Sequence, residues 1–306
     1  MLKPLTVASL ATILILTISS CGGSGPATAT QEGIAADSSA LRVAVMPTLD
    51  CLPIYVAHAT GIFDRESLSV TLVPFTAHMD CDTAIAGGSV HATPTDLVRG
   101  ERLQQQGTKL RYAAATALGW QLLTAKTARI RRLPQLDDKM VAMTRFSATA
   151  MIADHLVDSA KLQPERVFRI QVNDVLVRLN MMQTGTMDAM LLPEPQATAA
   201  RLAGCNVLYD SAADSLMAGA IAFSEKALSN TLRQSQMEAF IRAYDDACDS
   251  ISTLGIAHYR DIITSQCHVA DNAVDSLIIQ HPVKFPHASP PKQRDLERAK
   301  AWLKGK

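Results

Sequence analysis

Residues 46–55 read MPTLDCLPIY, and the fold turns on how this stretch is taken. LRVAV (41–45) before it suits a strand, and VAHATGIF (56–63) after it reads as helix. The two prolines stiffen the connection, and Asp50 can cap the helix or point at a ligand. A strand, a turn and a helix in this order form the unit of an α/β sheet, in which ligands gather beyond the strand C-termini at helix N-termini.

The unit recurs along the chain. VTLVPF (70–75), VHATPT (90–95), LRYAAAT (110–116) and WQLLTA (120–125) read as strands, with helices around Asp82–Ala86 and over Asp96–Gln106. The order then repeats: strand KMVAMT (139–144), helix Ala148–Ser159, strand VFRIQV (167–172), helix Val175–Thr184, strand AMLL (189–192) and helix Pro195–Ala203. Gly88-Ser89-Val90-His91-Ala92 is echoed by Gly185-Thr186-Met187-Asp188-Ala189, and Val43-Ala44 by Val141-Ala142 at almost the same offset. A repeat this long is not a solenoid, whose units are much shorter. It predicts two similar lobes built of parallel α/β units. LMAGAIAF (216–223) reads as a returning strand, followed by helices over Thr231–Leu254, Ala257–Gln266, Ala270–Ile279 and Pro291–Leu303 placed back on the first lobe.

The N-terminus bears on location. Lys3 precedes the uncharged apolar run LTVASLATILILTI (5–18), too short for a typical membrane span and suited to a secretory signal. Its ending, Ile18-Ser19-Ser20-Cys21, resembles a bacterial lipobox, with Cys21 the lipidated residue; an ordinary signal peptide with a coincidental cysteine is the other reading. Residues 22–40 are small and polar, as a flexible tether would be. The expected division is signal 1–20, anchored tether 21–40, first lobe 41–125, second lobe 126–220, and a return to the first lobe with its helical tail over 221–306.

Charge excludes one class of partner. Lys and Arg total 29 and Asp and Glu total 29, with no basic run beyond Arg129-Ile130-Arg131-Arg132, so nothing favours nucleic acid. Five cysteines follow Cys21, and an odd number leaves at least one unpaired. Cys51 with Cys81, or Cys248 with Cys267, are the pairs whose positions allow closure. No C-x-x-C occurs, so a redox or zinc motif has no support.

Polar residues collect at the strand ends of both lobes, which describes a cleft. The candidate ligand-binding set is Asp50, Thr76, Asp80, Thr95, Asp96, Trp120, Arg145, Phe146, Ser147, Asn173 and Glu194. Phe146-Ser147 would open a helix toward an acceptor, Arg145 would pair with Glu194 or bind an anionic group, and Glu194 stands rigid between two prolines. The acids outnumber Arg145 and tilt the reading toward a donor-bearing ligand. His78, Asp80, Cys81 and Asp82 are the nearest thing to a metal or thiolate site, but consecutive residues on one turn rarely converge on one ion. No metal and no cofactor is assigned.

MPTLDCLPIYVAHATGIFDRESLSVTLVPF resembles the opening of periplasmic solute-binding proteins of the nitrate/sulfonate/taurine and thiamine-precursor group. GGSVHATPTDLVR, MQTGTMDAMLLPEPQATAA and FPHASPPKQRDLERAKAWL are similar to later segments of that group, with His91 where aspartate is commoner. The resemblance implies a type 2 periplasmic-binding-protein fold: two α/β lobes, a two-strand hinge near 120–128 and 218–224, and an interlobe cleft. It also implies a small-molecule solute and an ABC permease in the cytoplasmic membrane as partner; a monomer is expected, and lipidation at Cys21 would anchor it in the cell envelope, periplasmic or on the outer face of the cytoplasmic membrane. The same fold hosts pyrimidine-precursor synthases and menaquinone-pathway enzymes, so an enzyme is the alternative.

Overall fold

The computed structural model describes residues 39–214, 216, 218–280 and 283–306. The expected signal segment, the tether to residue 38 and Cys21 lie outside them. Ten strands are described: β1 (Leu41–Val45), β2 (Val70–Pro74), β3 (Ala92–Asp96), β4 (Leu110–Ala115), β5 (Gln121–Thr124), β6 (Lys139–Met143), β7 (Val167–Gln171), β8 (Ala189–Leu192), β9 (Asn206–Asp210) and β10 (Gly219–Ser224). They form two five-stranded sheets, β2-β1-β3-β10-β4 and β7-β6-β8-β5-β9.

The sheets correspond strand for strand. β1 runs parallel to β2 from Leu41 opposite Val70 to Val45 opposite Pro74, and β6 runs parallel to β7 from Lys139 opposite Val167 to Met143 opposite Gln171. Each half of the chain lays four strands in its own sheet and sends the fifth into the other: β5 lies between β8 and β9, and β10 between β3 and β4. Both exchanged strands are antiparallel to their neighbours, so the sheets are mixed rather than wholly parallel as the strand–helix alternation suggested. The reason is geometric. Gln121 begins β5 opposite Leu192, the last residue of β8. A chain entering a sheet at its C-terminal edge has to run backwards through it.

β8 shows why these runs are almost wholly apolar. All four of its residues are buried; Ala189 and Leu191 join one apolar cluster, Met190 and Leu192 the other. Alternate side chains leave opposite faces of a strand, and a sheet covered on both faces must be apolar on both. The repeated glycines have an equally local cause. Gly88 and Gly185 end their helices in the left-handed conformation, at φ 79° and 70°. Each is followed by a buried apolar residue, Val90 or Met187, and then by the fully buried alanine at or beside the start of the next strand. Side-chain caps open the other ends: Asp96 accepts from Arg99 N, Ser147 from Thr149 N, and Asp174 from Leu176 N and Val177 N.

Two helices depart from expectation. The helix expected through 56–63 begins at Leu52 and divides at Thr60-Gly61 into Leu52–Ala59 and Ile62–Arg65, because Gly61 turns left-handed at φ 69°. The helix expected around Asp82 begins at His78, since the extended Ala77 just before it is held in a bridge to Asp174. In the tail, Thr231–Leu254 packs on Leu52–Ala59, with Phe240 stacked on Phe63 at 5.7 Å. Asp271–Gln280 touches the helix Gln196–Leu202, and Gln293–Lys304 lies against both Leu97–Gln105 and Ala148–Ser159. Trp302 Nε1 donates to Asp154 at 3.0 Å, and Lys300 lies 3.5 Å from Glu101, so the last helix holds to both halves. All five cysteines after Cys21 are free and buried, and neither pair allowed by the sequence is closed. Each sits among apolar side chains of one core cluster, where a thiol packs as a small hydrophobe.

Gly219 opens β10 against the loop that carries the chain into β5. Its carbonyl accepts from Thr116 N at 3.0 Å, and an added Cβ would lie 2.3 Å from Thr116 Oγ1 and 2.4 Å from Leu118 Cβ. Gly219→Ala is expected to destabilise the fold by ~1–3 kcal/mol through this overlap. Urea unfolding checks this; an unchanged midpoint would show that the loop has room to give.

Candidate functional site

The C-terminal ends of the two sheets face each other, and backbone hydrogen bonds cross between them. Leu49 N donates to Glu194 O at 2.9 Å, and Val175 N to Thr76 O at 3.0 Å. Ala148 N donates to Asp96 Oδ1 at 2.9 Å, and Gln196 Nε2 to Pro47 O at 2.6 Å. Each joins a turn after a strand of one sheet to a turn or helix start of the other. Orphan N–H groups at helix starts need acceptors, and here some find them across the interface.

Where the turn after β1 meets the end of β8 and the linker into β5, a cavity of about 300 Å³ remains. Leu49, Asp50, Leu118, Trp120, Leu192 and Glu194 line it, with Asp210 at the end of β9 and Lys284 from the tail. Asp50 is only 4 % exposed; Thr116 Oγ1 donates to its Oδ2 at a long 3.5 Å, and Oδ1 has no partner. Burial raises its pKa to about 6. Glu194 is fully engaged: Thr198 N and Oγ1 donate to Oε2 at 3.0 and 2.8 Å, and Arg201 Nη1 to Oε1 at 2.9 Å. Asp210 accepts from Gln121 Nε2 at 2.8 Å, and Arg201 in turn donates to Gln121 Oε1. Trp120 is 4 % exposed, and its backbone N–H donates to Ser211 Oγ at 2.9 Å.

Of the candidate residues, Asp50, Trp120 and Glu194 meet at this cavity. Asp96 and Ser147 are buried beside the interface as helix caps, with Asp96 also raised to about 6, chiefly by burial. Its carboxylate takes the helix-start N–H that the Phe146-Ser147 turn was expected to offer a ligand. Thr76 donates to Asp174 Oδ2 across the interface, and Thr95 is buried in β3. Asp80 is exposed, and with Thr76 it borders a separate cavity near Tyr55 and His268. Asn173 Oδ1 accepts from Gln171 at 3.0 Å. Arg145 is exposed, and the expected pairing with Glu194 is replaced by Arg201, which lies seven residues on in the helix that Glu194 precedes. Phe146, at φ 52°, instead lies under the Arg102 guanidinium, 4.0 Å from ring centre to Cζ.

Sequence reasoning missed Arg201, Thr198, Gln121, Asp210 and Lys284. The spacing of Glu194, Thr198 and Arg201 is helical, i, i+4 and i+7, and was available as a signal. Gln121 was hidden inside an apolar strand. Arg178 was missed as well. Its buried guanidinium donates to Val172 O at 2.7 Å, to Leu191 O at 3.1 Å and to Thr144 Oγ1, tying together the ends of β6, β7 and β8. Asp82 pairs with Arg99, and among the described residues no group of His, Cys, Asp and Glu could hold a metal ion.

The family model described as NMT1/THI5 like matches residues 48–252. The chain belongs to this family. No curated protein sequence matches it. Among solved structures, it is similar to the alkanesulfonate-binding protein SsuA from Xanthomonas axonopodis pv. citri bound to MOPS, at TM-score 0.72 and 16 % identity, covering 88 % of this chain and 93 % of that one. The periplasmic aliphatic sulphonate binding protein SsuA from Escherichia coli follows at TM-score 0.70 and 16 % identity, with 87 % of each chain covered. The desulfurization enzyme DSZB also matches, at TM-score 0.61 and 12 % identity, over 86 % of this chain and 91 % of that one. At these identities the likeness is one of fold, that of the periplasmic binding proteins, and it spans binding proteins and an enzyme alike.

Asp50 carries a pH signature. Its folded-state pKa lies above the ordinary 3.8, so the folded protein holds a proton there that the unfolded chain has lost between about pH 4 and 6. The burial penalty is therefore absent at low pH, grows as pH rises and levels off above 6, at about 3 kcal/mol. Asp50→Asn is expected to be more stable than wild type by about 2 kcal/mol at pH 8, with the difference vanishing near pH 4. Urea unfolding at the two pH values measures it, and a variant less stable at pH 8 contradicts the assignment.

Proposed function

We propose that this protein is the substrate-binding component of an ABC importer, which captures a small polar solute between its lobes and delivers it to a membrane permease. The observation that carries this reading is the cavity between facing strand ends, bordered by hydrogen bonds that join two separately anchored sheets. Such a contact opens by movement at the two crossing segments, as hinge closure around a ligand requires. The candidate solutes are a nitrogen heterocycle, an amine or a sulfonate-like compound. Among the described residues, no helix is long and apolar enough to cross a membrane. The lipobox-like Ile18-Ser19-Ser20-Cys21 supplies the attachment, and tethering raises the receptor's effective concentration near its permease.

The alternative is an enzyme, a possibility the fold leaves open. The described residues lining the cavity include no Cys, His or Ser; its acids Glu194 and Asp210 are held by hydrogen bonds, and Asp50, the acid left with an unpartnered oxygen, has no such nucleophile in the wall to act on. A receptor function accounts for such a wall directly.

Two measurements test this. Calorimetry against small metabolites should find a solute that binds one to one and is recovered unchanged, with no turnover on long incubation; a chemically altered solute favours the enzyme. Cys21→Ala should release the protein from the membrane fraction, because acyl chains supply nearly all of the affinity of such an anchor. A variant that stays membrane-bound at wild-type levels removes the anchor from the account.

A further inference from the structure

The cavity wall is unbalanced in charge. Among the described residues that line it, Asp50, Glu194 and Asp210 stand against Lys284 as the one cation, and Lys284 is exposed. Two of the acids are already satisfied: Glu194 by Thr198 and Arg201, Asp210 by Gln121 and by Ala212 N at 2.9 Å. Asp50 is not. It is more than nine-tenths buried, its Oδ1 has no hydrogen bond of ordinary geometry, its Oδ2 has only the long contact from Thr116, and the nearby Thr48 hydroxyl and the Asp50 backbone N–H offset burial only in part. Across the same turn, Gln196 spends its amide nitrogen on Pro47 O and Cys267 O, leaving Oε1 as a second buried acceptor without a partner.

A buried carboxylate oxygen without a donor is costly, and a charged N–H donor relieves that cost better than a neutral one. Trp120 lines the same cavity as Asp50, and an aromatic face attracts cations. An oxyanion would meet the opposite conditions: it would displace nothing favourable at Asp50 and would have to face an unneutralised carboxylate. The two buried arginines, Arg99 and Arg178, do not line this cavity, and Arg178 is committed to strand-end oxygens. The volume, about 300 Å³, lies at the small end for ligand pockets.

The geometry points to a compact cationic solute, an ammonium, amidinium or protonated nitrogen heterocycle, held at Asp50 against Trp120. Its charge is the opposite of that of the sulfonates named for the structural neighbours. This assignment rests on the reading of the cavity as a solute site.

The test uses purified full-length protein and probes matched in size but opposite in charge: benzamidine against benzenesulfonate, and ethylamine against ethanesulfonate, with benzyl alcohol as a neutral control. Calorimetry at pH 8 should show a cationic probe binding at least tenfold more tightly than its anionic counterpart. Asp50→Asn should lose tenfold or more of that affinity, and so should wild type at pH 5, where the carboxyl is protonated. Preference for the anionic probe, or cation binding unaltered in Asp50→Asn, overturns the assignment. Binding of neutral compounds alone also overturns it, while leaving solute capture intact. If no compound of any charge binds, the receptor reading falls with it.

Discussion

The reciprocal exchange of β5 and β10 is the constraint on which the rest depends. Because each half sends its fifth strand into the other's sheet, the chain crosses twice at the same edge, between β4 and β5 and between β9 and β10. Those crossings force the C-terminal ends of both sheets to face one another. In an α/β sheet these ends carry the turns, the helix starts and their unsatisfied N–H groups. Facing them creates one polar interface out of two, and the cavity is the part of that interface nearest the crossings that the side chains leave unfilled.

The interface is polar without being loose. Asp96 caps its own helix and also accepts from Ala148 N, so one carboxylate serves helix starts from both sheets. Arg178 plays the supporting role inside the second sheet, where it gathers the ends of β6, β7 and β8 with its guanidinium bonded to neutral oxygens. Removing a charged group from water is costly, and multiple good hydrogen bonds are what make it tolerable. His78 lies near Arg99 and Arg178; burial first, then those two charges, push its pKa down to about 3, so it stays neutral there. Several buried polar atoms near the interface stay without a partner, among them His78 Nε2, Gln196 Oε1 and Asp50 Oδ1, and of these three residues Asp50 alone lines the cavity.

Much of this was legible in the sequence, and the reasons are local. Strand positions followed from apolar runs, and the two-lobe plan from the offset between Gly88 and Gly185, because a left-handed helix end selects glycine wherever the plan recurs. Asp50, Trp120 and Glu194 were named together because they sit at strand ends, and that shared position is what brings them to one cavity. The direction of β5 and β10 was not legible, since an apolar run carries no arrow. Arg145 was named where Arg201 acts, because nearness to a strand end was weighed above helical spacing from Glu194. The free thiols could not be settled from positions along the chain, because pairing depends on geometry in the folded core.

The central claim is that the interface between the facing strand ends is a closable one, held by bonds that form and break with the solute. Backbone hydrogen exchange reports it directly at Leu49, Ala148 and Val175, whose amides donate across the interface. The account predicts that these three amides exchange readily without solute and become protected together when it binds. Amides within the sheets, such as Leu123 and Ala222, should change little. Protection of the three that is already complete without solute, and unmoved by it, would contradict the account.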